Sequence, residues 1–340
     1  MADVLAEGAP ASDPATVEPP TAFAAAAPAP EVRRFEFHGH GGGLFQIWVM
    51  NLLLTLATLG IYYFWGKVRV RRYLYEQTSF DGDSFSYHGT AKELLLGWLK
   101  ALPLLVLILW GPSFLPLLWE SPHAMWVGPV AALALMLLLW PLALVGARRY
   151  RLSRSAWRGI RFSFRGRRRD FMALFWGGSF LWLLTLSFAS PFYSVWTHNY
   201  FVNHSYFGNA RFDFRGHGRD LLGSYLLAVL FSVLTFGIYW FWYEAERERY
   251  LWSRTTIGPA TIRCTLQGGQ LFRLAAGNFL LLVFTLGLGW SWVLARRTRV
   301  WLENMHIEGP LDAASIVQDA QGVTATAEGF ADFLGMDFGV

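Results

Sequence analysis

Six stretches of the chain carry no charged side chain: residues 44–65, 101–119, 124–146, 171–196, 221–243 and 274–295. Each is roughly 19–26 residues long, and at about 1.5 Å per residue a helix of that length covers a hydrocarbon core about 30 Å thick. Lipid offers no water to backbone amides, so a chain inside it must be helical. The pattern predicts six membrane-crossing helices.

The polar stretches between them repeat. An aromatic-x-aromatic-x-Gly pattern occurs as FEFHG at 35–39, FSYHG at 85–89, FSFRG at 162–166 and FDFRG at 212–216, with a weaker copy, CTLQG, at 264–268. Alternation of this kind, ended by glycine, reads as a short strand stopped by a turn. Twenty-three residues after Phe35 and after Phe212, and 21 after Cys264, comes a Thr-x-Gly triplet: Thr58 to Gly60, Thr235 to Gly237 and Thr285 to Gly287. An aromatic collar and a basic run follow each one: KVRVRRYLY, EAERERYLW and ARRTRVWL. Five units are read, starting near 35, 85, 162, 212 and 264, with a two-unit block duplicated around an extra unit. The expected fold is an all-α membrane protein. It is a polytopic helical bundle of about six hydrophobic segments built from internal repeats, with short interfacial β segments and amphipathic basic helices.

Two readings of the Thr-x-Gly triplets stand side by side. If every apolar stretch crosses once, loops 67–93, 147–170 and 244–273 share the more cationic side, which the positive-inside bias places in the cytoplasm. Successive copies of one module would then face opposite compartments. If the chain turns back at each triplet as a re-entrant pair of half-helices, every basic run is cytoplasmic, at the cost of non-helical backbone at depth.

Charge sharpens this picture. All 29 Lys and Arg lie within 32–311 together with 14 of the 24 carboxylates, so the net charge of +5 understates a strongly basic body between two acidic tails. Residues 1–31, Pro/Ala-rich and without Lys or Arg, read as a disordered tail with no cleavable signal peptide; 312–340 read as an acidic C-terminal segment. The cations abut apolar spans, where anionic lipid headgroups explain them, and no nucleic-acid partner is expected. The lone Cys264 excludes an intrachain disulfide and a multi-cysteine zinc site.

Candidate chemistry is sparse. Asn51 and Asn278 each stand seven residues before a triplet Thr in apolar surroundings. With Thr58, Gly60, Thr235, Gly237, Thr285 and Gly287 they could line a polar intramembrane site; the competing reading is interhelical hydrogen bonding and close packing. Lys67, Arg69, Arg71, Arg72, Arg148, Arg149, Arg167, Arg168 and Arg169 are the headgroup-binding candidates, because guanidinium forks match phosphate oxygens. Trp65, Trp242 and Trp292 belong at the headgroup level. His38, His40, His88 and His217 lie in the strand motifs without a diagnostic ligand spacing, so no metal is expected. GHGGG at 39–43 lacks the Lys-Ser/Thr of a phosphate loop and reads as a hinge between strand and helix. Without paired carboxylates or a nucleophile–base motif, neither an enzyme nor a cofactor is expected.

The stretch from FHGHGGG through TLGIYYFWGKVRVRRYLYEQTSFDGDSFSYHGTAKELL, the halved repetition and the terminal GFADFLGMDFGV resemble the YjgN family of bacterial inner-membrane proteins, a domain family of unknown function. The likeness covers Phe35 to Val340. It implies a multi-pass inner-membrane protein and supplies no activity, cofactor, protein partner or catalytic residue. One departure is visible: where the family's collar reads Tyr-x-Pro-Trp-Ala-Lys, this chain has Tyr62 to Lys67 without the proline. Transport or permeation of a small solute is the leading functional expectation, from duplication and matched helix breaks. The alternative is a non-enzymatic scaffold that organises the envelope or its lipids through the Arg-rich loops.

Overall fold

Ten short strands pair with their chain neighbours and close into an antiparallel barrel. The computed structural model describes residues 32–112, 114, 124–310 and 316–318; residues 1–31, 120–123 and nearly all of 312–340 lie outside the described residues.

The succession strand, helix, helix, strand recurs along the chain. It runs β1 (Val32–Phe37), α1 (Gly41–Ala57), α2 (Tyr63–Glu76), β2 (Thr78–Phe80); then β3 (Asp83–Tyr87), α3 (Ala91–Trp110), α4 (Ala124–Arg154), β4 (Ser155–Trp157). It continues with β5 (Ile160–Phe164), α5 (Arg168–Leu184), α6 (Ser190–Asn203), β6 (Ser205–Phe207) and β7 (Ala210–Phe214), a 3-10 turn (Gly218–Leu221), α7 (Leu222–Leu234), α8 (Trp240–Ser253), β8 (Thr255–Ile257). The last is β9 (Ala260–Cys264), α9 (Gly268–Phe284), α10 (Trp290–Glu303), β10 (Met305–Glu308). Two-residue turns join β2 to β3 and its counterparts, with positive φ at both positions in Asp81-Gly82 and Arg158-Gly159 and at the glycine alone in Gly208-Asn209 and Gly258-Pro259. Their left-handed backbone matches the twist of the strands they connect. All turns therefore lie at one end of the barrel and all helical pairs leave from the other. β1 pairs with β10 and α10 packs on α1, so both the barrel and the crown of helices close.

The strand motif explains the barrel's filling. Period-two alternation points both aromatics of each motif inward. The register pairs Phe35 with Phe80, Phe85 with Trp157, Phe162 with Phe207, Phe212 with Ile257 and Ile262 with Ile307. These side chains form one packed core across the barrel. Ile316 joins it from the turn end, where Asn209 exchanges two hydrogen bonds with Val317, at 3.1 and 3.2 Å, and Arg161 N donates to Gln318 Oε1 at 2.6 Å. Phe330, Phe333, Leu334 and Met336, the apolar residues of the acidic C-terminal segment that the sequence offers for docking on the basic surface, lie outside the described residues.

The second aromatic of each motif, Phe37, Tyr87, Phe164 or Phe214, folds back over the motif glycine. A Cβ on Gly39, Gly89, Gly166 or Gly216 would lie 2.4–2.5 Å from that ring or its hydroxyl. The fifth unit solves the same packing problem differently. Its register puts Ile262 level with Phe35, Cys264 at the second aromatic and buried Leu266 at the glycine. The equivalent of Phe35 in the unit read as starting near 264 is thus Ile262, 23 residues before Thr285. A small side chain and a large one have exchanged places.

The all-α bundle of six crossings is corrected. The chain closes a barrel, and among the described residues two helices, α3 and the 126–154 portion of α4, are long and apolar enough to cross a bilayer. The physical reason is the chain reversal: four of the apolar stretches bend at a threonine and return as a second short helix, so 22 or more apolar residues make two half-length rods. α1, α5 and α9 have 17 residues each.

Candidate functional site

Four helical pairs end in one and the same turn. Thr58 Oγ1 donates to Leu54 O at 2.7 Å and accepts from Tyr62 N at 3.0 Å, so a single hydroxyl caps the end of α1 and the start of α2. Thr185, Thr235 and Thr285 do the same, accepting from Ala189 N, Tyr239 N and Gly289 N at 3.0, 3.1 and 2.8 Å. Two residues of left-handed backbone follow, and the second donates back to the first helix, as Gly60 N does to Thr55 O at 2.8 Å. The reversal thus satisfies its own amides and hydroxyls, the condition for placing non-helical backbone in hydrocarbon. What it presents outward is oily: Leu59, Leu186, Phe236 and Leu286 are 95%, 82%, 97% and 93% exposed.

This geometry redistributes the predicted polar site. Thr58, Gly60, Thr235, Gly237, Thr285 and Gly287 sit at separate tips, and a Cβ on any of the three glycines would meet nothing within 4 Å. Asn51 lies between the arms of its own pair, where Nδ2 donates to Gly66 O at 3.2 Å, while Oδ1 of Asn51 and of Asn278 is buried without a hydrogen-bond partner. No common site is assembled from them. Thr185 escaped the sequence reading because serine, Ser187, holds the glycine position. Its spacing of 23 residues from Phe162 was the available signal.

The collar binds neighbouring pairs together. Gly41 and Gly268 begin α1 and α9 with no room for a Cβ against Trp292 and Trp242, and Gly218 is closed in the same way by Phe192. GHGGG therefore supplies a close-packed helix start, which corrects the hinge reading. Tyr73 and Tyr250 accept from His40 N and His217 N at 3.1 and 2.7 Å, tying each returning helix to the start of its partner. His38 bonds Ser79 at 3.0 Å. Cys264 is a free buried thiol.

The arginines divide into an outer and an inner set. Arg69, Arg72, Arg167, Arg168 and Arg169 are exposed on the outside of the crown near its base, and Lys67 is half-buried. Arg149 and Arg299 are committed to structure, donating to Gly166 O and Gly39 O at 2.6 and 2.9 Å. Arg71 and Arg148 turn inward: Arg71 donates to Tyr87 Oη at 3.3 Å, and Arg148 lies 5.9 Å from the centre of the Phe201 ring. One residue of helix is a rotation of about 100°, so adjacent arginines face different surroundings.

The inward position stands two residues before the tyrosine of each returning helix and holds Arg71, Arg148, His198 and Glu248, with Thr298 in the fifth unit. His198 Nε2 is 3.3 Å from Thr255 Oγ1, the first residue of β8, and its ring meets Phe214 and Trp252 edge-on. Burial first, then the charges of Arg148 and Arg247, push this imidazole down to about 3. The unfolded chain takes up a proton near pH 6.5 that the folded chain refuses, so the stability His198 leaves intact above pH 6.5 is lost as pH falls toward 3. We expect lowering pH from 7 to 5 to cost wild type about 1–2 kcal/mol more than His198→Gln. Thermal unfolding of both proteins in detergent checks this.

An apolar crown on a filled barrel, with cations at its base, defines a membrane-seated protein. A family model described as "Bacterial protein of unknown function (DUF898)" matches residues 32–241, 213–263 and 225–333, and the chain belongs to that family. Among curated proteins it is similar to inner membrane protein YjgN of Escherichia coli O157:H7, 36% identical over 130 residues, and to that of strain K12, 38% identical over 131. Each match covers 38% of this chain and 30% of the relative, so the matched stretch spans under a third of those proteins. The Salmonella typhimurium LT2 protein of the same name is 42% identical over 60 residues, 18% of this chain and 15% of the relative. No solved structure matches the chain.

Proposed function

We propose that this protein is a lipid-organising scaffold of the bacterial inner membrane, seated with its barrel in the cytoplasm and its crown in the bilayer. The observation that carries the reading is the set of four self-satisfied turns with exposed Leu or Phe at their tips. An arm of 17 residues reaches about 25 Å, and with its base among headgroups the tip lies deep in the acyl chains. No Lys or Arg stands within eight residues of Thr58, Thr185, Thr235 or Thr285, so cations are kept from the tips, as a barrel on the cytoplasmic side requires. The names of the relatives agree with this location. Solute passage along the barrel axis has little in its favour, because packed aromatic and aliphatic side chains fill it.

The test is lipid retention. Arg167, Arg168 and Arg169 are exposed where α5 leaves the barrel, and a cation at an anionic surface contributes about 1 kcal/mol. The triple change to Gln is expected to reduce co-purifying anionic phospholipid at least about tenfold, with the fold intact. Unchanged lipid content, read by mass spectrometry of the purified protein, would dispose of the scaffold reading.

A further inference from the structure

We propose that the mouth of the barrel, beneath the crown, holds an internal site for a phosphate-type oxyanion, with Arg148 as its principal ligand. The site is separate from the outer arginines and does not depend on them.

The argument starts from an unpaired charge. Arg148 makes no hydrogen bond to any described residue, and its Nε is buried without a partner. Arg148 is half-buried, and partial withdrawal of an ionised guanidinium from water is unfavourable unless an anion compensates it. Its neighbours do not: Arg151 carries a like charge, the Phe201 ring offers a face, and the other arginine near His198, Arg247, is already engaged by Glu244 and Glu248 at 2.6 and 2.9 Å. Thr298, at the equivalent position of the fifth unit, also has a buried hydroxyl without a partner.

The topology brings these groups to one level. Arg71, Arg148, His198, Glu248 and Thr298 occupy the same position on the five returning helices, seven residues and so about two turns before the strands. Two contacts fix that level at the barrel's inner layer: His198 to Thr255, and Ser155 Oγ donating to Tyr75 Oη at 3.0 Å. Below them the aromatic core seals the barrel. A ligand here meets a guanidinium fork and a hydroxyl, while the one N–H of neutral His198 is spent on Thr255, whose own hydroxyl donates to Leu251 O at 2.9 Å. Tetrahedral phosphate oxygens suit that set, and their charge suits Arg148.

Such a phosphate could belong to a phospholipid entering between helical pairs or to a soluble ion. Full-length protein, delipidated in neutral detergent, is titrated separately with inorganic phosphate and with phosphatidylglycerol while thermal unfolding is followed. A saturable rise in Tm in wild type and Arg168→Gln, weakened about tenfold or more in Arg148→Met, supports the site. Response to inorganic phosphate assigns a soluble ion, and response to the lipid alone assigns a headgroup. No rise with either ligand, or an equal rise in Arg148→Met, overturns the proposal. Should Arg148→Met fail to fold, Arg148→Lys keeps the charge and loses the fork, and wild-type affinity in that variant overturns it equally.

Discussion

Leucine in place of Gly216 is expected to destabilise the protein by about 3 kcal/mol, and cysteine in place of Phe214 by a similar amount, yet the two together by far less. The first change forces a side chain into a ring: a Cβ at 216 would lie 2.4 Å from Phe214 Cζ, between flanking elements that cannot separate without opening the barrel. The second leaves a void where that ring packs with Val195, Leu221 and Leu251. The fifth unit already contains the paired solution, with Cys264 and Leu266 packed against Ala245 and Leu271. Chemical unfolding of wild type, both single variants and the double variant forms a complete cycle. A coupling of about 2–3 kcal/mol in favour of the double variant is expected. Additive losses would show that the motif glycine is required for something other than room for the ring.

The second large effect concerns the tips. Leu59 stands at the outermost point of the first pair with φ 52°, facing away from the protein. Aspartate placed at depth costs about 2.5–3.5 kcal/mol, so Leu59→Asp shifts the pair's equilibrium between buried and withdrawn on the order of 100-fold. An environment-sensitive fluorophore on Ile61→Cys, with Cys264→Ser to leave one thiol, reports the position. In vesicles the parent should emit as in hydrocarbon and be quenched by nitroxides carried on lipid acyl chains, and the Leu59→Asp variant should emit as in water. A water-like signal from the parent would mean that the exposed leucines face solvent, and the membrane seat of the crown would be lost with it.

Much of this could be read along the chain, and the failures have physical causes. The strand motif, the threonine breaks and the basic returning helices are local, so fixed spacings reveal them. Reversal at Thr58 is not local in the same sense. The residues on both sides of it are apolar, and a continuous rod and a folded pair expose the same composition to lipid. The barrel was missed because three-residue strands such as β2 and β8 have no periodicity of their own and form only by pairing with strands more than forty residues away in some cases, as Trp157 does with Phe85. In the fifth unit the register is offset by two from the CTLQG pattern, because aromatic rings mark the place in the other units and the exchange at Cys264 and Leu266 removes that ring. Among the candidate residues, chemistry could select Arg148 and Arg149 together, but only the helix rotation separates a guanidinium committed to Gly166 from one turned toward the barrel mouth.

Val32 lies beside Glu308 in the same ladder that joins every other neighbouring pair of strands. As far as its contacts go, the folded body is a loop without a first or last member. A polypeptide joined across that seam through the residues that carry Ile316, and opened instead at the 258–259 turn, would keep every strand pairing, so the order of synthesis is a history the finished ring does not record.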